Sequence, residues 1–210
     1  MNFFGHAAAA RRVDDDPFFI LGAMAPDLLP LCGAVASGET SPRVTAGQAH
    51  HHAVDLLFHD NPAFRTLASW ASRSLVEVGL QRGAARGAAH VGIELFLDGV
   101  LAAEAEARAA YTRSLAEAET TGTPFVWRDE LSRSRWQTLV IRLRTGAVPD
   151  GYRESGFVAD RVVGALGRRP RLALSEREAV ALHRFLPALA ARVTADAQAL
   201  VGDLLAGTSG

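Results

Sequence analysis

The chain has 210 residues, of which 49% are hydrophobic and 21% charged, so it is long and apolar enough to bury a substantial core. A formal net charge of −1 argues against a general nucleic-acid or membrane-surface binder. No apolar run approaches the roughly 20 residues that a membrane span needs.

The opening "MNFFGHAAAARR" lacks a basic region ahead of its apolar part and does not read as a signal peptide. The single cysteine, Cys32, excludes an internal disulfide and fits a reducing, cytoplasmic setting. Nothing near it in sequence would activate it as a nucleophile. Pro17 follows three aspartates, which suits a helix start with acids at the N-terminus and proline in the first turn. That helix carries "FFILGAMAPDLL", where Pro26 predicts a kink or break beside Asp27. "CGAVASGETSPR" is a loop by its Gly, Ser and Pro content.

A helix over 44–58 holds "HHHAVDLLFH". Asn61 then predicts an N-cap, with Pro62 at the first position of a helix over 63–78. A long helix over 83–115 follows and ends before "TTGTP". Helices over 128–144, 153–166 and 176–205 complete the chain. In the first of these, Trp136, Leu139, Val140 and Leu143 sit at core spacing, so its arginines mark an amphipathic helix and not a nucleic-acid surface. Without period-2 alternation, repeats or a clear boundary, residues 1–210 read as one all-α domain, a helical bundle.

Two ladders carry the chemistry. His51, Asp55 and His59 are spaced i, i+4, i+8 and line one helix face within about 80°, with His50 and His52 pointing elsewhere. His90, Glu94 and Asp98 repeat the spacing within "AAHVGIELFLDGVLA", which is apolar almost all round and should be buried. An unpaired buried carboxylate is costly, and either a divalent cation or a dense polar network removes that penalty. Imidazole and carboxylate at i, i+4 are a common way for helices to supply ligands to one metal. Eight residues rise about 12 Å, so one ion cannot touch both ends of a ladder. Either two ions bind, or one binds while the remaining residues support it or hold substrate. A single such pair is commonly a surface ion pair, whereas two ladders in one small helical domain point to metal.

The residues also resemble a family. "MNFFGH" is similar to the Asn-Phe-Leu-Ala-His opening of acyl carrier protein phosphodiesterases, which are HD-domain-like helical metallohydrolases. "AGQAHHHAVDLLFHDNPAFR" resembles that family's Gly-Ile-x-x-His-Arg-x-Ile-Asp segment, which runs on to His-Pro-x-Phe. "IELFLDGVLA" resembles its Asp-x-x-x-Asp-His-Phe-Leu-Ala segment, and "ALGRRPRL" a late Arg-Arg-Pro-Arg-Leu stretch. "FILGAMAPDLLP" looks like the Gly-x-x-x-Pro-Asp segment of zinc-dependent phospholipase C-like hydrolases.

The resemblance implies site roles for His6, Asp27, His51, Asp55 and Asp98, with Glu94 in place of an aspartate. His52, His59, Asn61 and Gly99 depart from the family's Arg, Asp, His and His, and His90 has no counterpart. Together the ladders and the resemblance give eight candidate metal ligands: His6, Asp27, His51, Asp55, His59, His90, Glu94 and Asp98. One or two ions of Mn, Fe or Zn suit this donor set. Asp55 or Glu94 would take a proton, and Arg168, Arg169 and Arg171 would hold a phosphate or an acidic partner. The expected function is metal-dependent phosphoester hydrolysis, with the substrate on a carrier protein or a small molecule. The alternatives are a metal-stabilised binding module without catalysis and a metal-free bundle whose ladders form a hydrogen-bond network.

Overall fold

The computed structural model describes residues 1–120 and 124–205. Among them, the chain is mostly helical, in agreement with the all-α expectation. The helices are α1 (Phe3–Ala10), α2 (Pro17–Cys32), α3 (Pro42–Asp60), α4 (Pro62–Glu77), α5 (Arg82–Leu101), α6 (Ala105–Thr120), α7 (Glu130–Thr145), α8 (Ser155–Gly167) and α9 (Glu176–Leu205). A short antiparallel ribbon adds β1 (Ala36–Glu39) and β2 (Phe125–Trp127). Of the "TTGTP" stretch expected to end the long helix, residues 121–123 lie outside the described residues. No described helix is long and apolar enough to cross a membrane.

Backbone contacts divide the chain into two compact units. The first comprises Met1–Leu57, Leu101–Val148 and Asp203–Gly210, and the second comprises Phe58–Val100 and Pro149–Gly202.

In the first unit, α2 packs on α1, α6 and α7. The Asp16 carboxylate caps α2 by accepting from the amides of Phe18 and Phe19. Of the kink or break expected at Pro26, a break does not occur: α2 runs through Pro26 and Pro30 to Cys32. Tertiary packing explains this: residues 19–25 are all buried, and their burial outweighs the one intrahelical hydrogen bond each proline removes. The helix ends at Gly33, whose φ of 66° is a left-handed C-cap that a side chain would strain. The ribbon was not legible because β1 lies in the stretch read as a loop. Three or four residues are too short to show alternation.

The single helix expected over 83–115 is two helices, α5 and α6. No Gly or Pro marks the break at 102–104. The Ala102 carbonyl is instead held by the Arg108 guanidinium at 2.7 Å, a side-chain contact that replaces helical bonding. A helix at α1, Phe3–Ala10, was not foreseen either. It is short and buried all round, with no polar face to reveal its period.

The second unit holds α4, most of α5, α8 and α9. Asn61 caps α4 as expected, accepting from the Ala63 amide at 2.7 Å, and its side-chain amide donates to the Ala199 carbonyl of α9 at 2.9 Å. Ser175 and Glu178 cap α9 reciprocally, and Glu178 also accepts from the Gln81 amide just before α5. Gly99 lets α5 approach the backbone of Tyr152, where an added Cβ would stand 2.5 Å from the carbonyl oxygen.

Candidate metal centres

Two groups of side chains among the described residues could hold a metal ion, one in each unit: His6, Asp27 and His51, and His59, His90 and Glu94. In each group the ligand atoms lie within 4.8 Å of one another.

The first group depends on a close approach of α2 and α3. A Cβ at Gly47 would stand 2.1 Å from the Phe19 carbonyl oxygen, and one at Gly22 would stand 2.3 Å from that of Val44. Only glycine at both positions lets the backbones come this near. One turn beyond Gly47, His51 then reaches across to α2, where its Nδ1–H donates to the Ala23 carbonyl at 2.8 Å. Asp27 lies one turn past Ala23 on the same face of α2. From α1, His6 stacks on His51 with ring centroids 3.8 Å apart. The His6 Nε2 lies 3.1 Å from the Met1 carbonyl and 3.2 Å from Asp55 Oδ1, and it donates to this pair of acceptors. Its Nδ1 is buried with no hydrogen-bond partner.

These contacts fix the tautomers. Each imidazole spends its N–H on an oxygen behind it and keeps a lone pair on the other nitrogen. An outer hydrogen bond of this kind is how metal-bound histidines are oriented. Burial supports the neutral form: His6 is 0% exposed and its pKa is lowered to about 4, because burial outweighs the help of the Asp55 hydrogen bond. His51 is likewise pushed down by burial, against the Ala23 hydrogen bond. Burial alone would raise the Asp55 carboxyl. The His6 hydrogen bond and the N-terminal ammonium, 2.8 Å from Oδ1, instead hold it well below the usual carboxylate range.

In the second group, Glu94 Oε1 lies 3.1 Å from His90 Nε2 and 3.3 Å from His59 Nε2. The two rings are stacked at 4.9 Å, and Phe64 sets its edge against each at 5.3 Å. The Asn61 cap fixes where α4 begins and so places Phe64. Burial would raise the Glu94 carboxyl, but the two histidine hydrogen bonds hold it well below the usual range. The histidines are more open here than in the first group, at 34% and 44% side-chain exposure.

The structure thus brings together six of the eight expected ligands, in two groups. The His51 ladder divides, with His51 in one group and His59 in the other. Asp55 stands behind His6 and orients it. His50 turns to Phe19 and His52 is exposed, as their helix positions required. Asp98 is fully buried one turn past Glu94 and belongs to neither group. Arg168, Arg169 and Arg171 are exposed in the turn after α8. Sequence reasoning missed the carbonyls of Met1 and Ala23, because backbone acceptors leave no residue-type signal.

Comparison with known proteins returns no matching family, no matching curated protein and no matching solved structure.

Proposed function

We propose that the chain is a metal-dependent phosphoester hydrolase of HD-domain-like, acyl carrier protein phosphodiesterase-like type, working on a substrate attached to a carrier protein or on a small molecule in the cytoplasm. One observation carries the reading. The two buried histidines His6 and His51 each spend one N–H on an oxygen and keep a lone pair on the other nitrogen, and both belong with Asp27 to one group of ligand atoms within 4.8 Å of one another. A fixed, neutral, mixed nitrogen and oxygen donor set of three suits Mn, Fe or Zn and leaves coordination positions for water and substrate. A divalent cation held there would supply a Lewis acid, acidifying water and offsetting charge on phosphoryl oxygens.

The chain's own residues divide the remaining work. His51 and His6 hold position through Ala23 and Asp55. Asp55, kept strongly acidic by its partners, is a poor proton acceptor at neutral pH and serves to orient His6. Glu94, with its carboxyl held low in the same way, binds His59 and His90 and is a ligand before it is a base.

A second reading, a metal-stabilised module without catalysis, is favoured by the depth of the first group: His6 is 0% and His51 4% exposed. Elemental analysis and a chromogenic phosphodiester assay with and without Mn separate the readings. Under the first, the purified chain carries metal and turns over the diester. Under the second, it carries metal, loses stability on chelation and shows no turnover. A His51→Ala variant is expected to lose the ion of the first group and to reduce turnover at least 100-fold while keeping its helical circular dichroism. Full metal content and activity in that variant would end the assignment.

A further inference from the structure

We propose that the groove between α4 and α5 in the second unit binds a multiply phosphorylated small molecule. The groove has a volume of about 580 Å³ and is lined by Ser72, Arg73, Val76, Glu77, Arg82 and Arg86. Four residues connect α4 to α5, so the last turns of one helix stand beside the first turns of the other. Arg73 therefore faces the groove from α4, and Arg82 and Arg86 face it from α5.

What distinguishes these arginines is that three of them line one groove. Arg11, Arg12, Arg113 and Arg144 each pair with a carboxylate. Among the described residues, Arg73, Arg82 and Arg86 have no salt-bridge partner, although Glu77 lines the same groove. Arg82 and Arg86 are at i, i+4, where like charges repel across one turn of helix. Three cations against one anion leave an excess of positive charge that an anionic ligand would neutralise. Guanidinium groups bind phosphate oxygens through paired N–H donors. The turn bearing Arg168, Arg169 and Arg171 packs on the same two turns of α5. A Cβ at Gly83 would lie 3.3 Å from Leu172, and one at Gly87 3.8 Å from it. That turn adds positive charge at the same end of the helix.

The volume selects a small molecule, since it falls in the range of ligand pockets and exceeds what a single phosphate fills. Ser72 offers a hydroxyl, and Val76 gives an apolar wall to the organic part. A net charge of −1 for the whole chain disfavours a long polyanion, which would meet repulsion beyond this patch. The groove contains none of the candidate metal ligands, so this inference does not depend on the hydrolase reading.

Calorimetric titration of the chelator-dialysed full-length chain with inorganic tripolyphosphate tests it. The expected result is saturable one-site binding, weakened by salt and at least tenfold tighter than that of orthophosphate. Arg82→Ala with Arg86→Ala, and separately Arg73→Ala, should each weaken it at least tenfold. Arg142→Ala, which alters an exposed arginine of the first unit, should not. His51→Ala should bind as the wild type does, so failure of the metal assignment and failure of this one are told apart. All these arginines are exposed, and unchanged circular dichroism would confirm that the variants fold. Absence of saturable binding, equal loss in Arg142→Ala, or equal binding of an oligoglutamate of matched charge would overturn the proposal.

Discussion

His6 carries a titration that can be read without activity. An unfolded histidine takes up its proton near pH 6.5, whereas in the fold His6 does so only near pH 4. Between those values the unfolded chain binds the proton and the folded chain does not. Stability must therefore fall as pH drops from 6.5 to 4, and this contribution is flat outside that window. The shift corresponds to a loss on the order of 3 kcal/mol. Urea midpoints of the chelated protein at several pH values within the window should show it, and His6→Asn should flatten the slope. A metal-free wild type that is equally stable at pH 4 and 6.5 would mean that this imidazole is not held neutral by its surroundings.

At the scale of helices, the crossing of α2 and α3 decides whether the first group exists. Gly47→Ala would place a methyl 2.1 Å from a backbone oxygen, which no side-chain rotation can relieve. The helices must separate, taking the Ala23 carbonyl away from His51. A destabilisation of about 1–3 kcal/mol is expected, together with a loss of metal affinity larger than that of an exposed control. Gly164→Ala is that control, because nothing lies within 4 Å of its added Cβ. If both variants bind metal as the wild type does, the crossing does not set the site.

Most helices were legible from spacing and caps. The acids before α2, the Asn61 cap and the prolines at the starts of α2 and α4 declare themselves because helix-start preferences are local. The continuation of α2 past Pro26 and the division of the 83–115 segment were not legible for the opposite reason. Burial of α2 and the Arg108 contact to Ala102 are tertiary, and no window of sequence contains them. Helical spacing found His51, His59, His90 and Glu94. The resemblance brought in His6 and Asp27, which lie too far along the chain for spacing to link. Asp98 shares the ladder's register but belongs to neither group, since periodicity says which face a residue is on and not what stands opposite.

For the molecule as a whole, one group in each unit predicts stoichiometry. The chain saturated with Mn should carry two ions. His51→Ala should lose one and His90→Ala the other, and the double variant should lose both. Because the folded state alone assembles these donors, a metal present at 100 times its dissociation constant should add about 2.7 kcal/mol per site. Removal by a chelator should lower the thermal midpoint accordingly. A double variant with wild-type metal content would place the ions elsewhere.

The glycine pair at the α2–α3 crossing also constrains ancestry. Substitutions to alanine usually favour helices, yet that ordinary drift is closed at this pair and open at positions such as Gly156 and Gly164. A lineage that retained the His6, Asp27 and His51 donors would therefore keep residues 22 and 47 frozen while unconstrained glycines such as Gly156 and Gly164 wandered. Side chains bulkier than hydrogen at either position would mark descendants that had abandoned the ion.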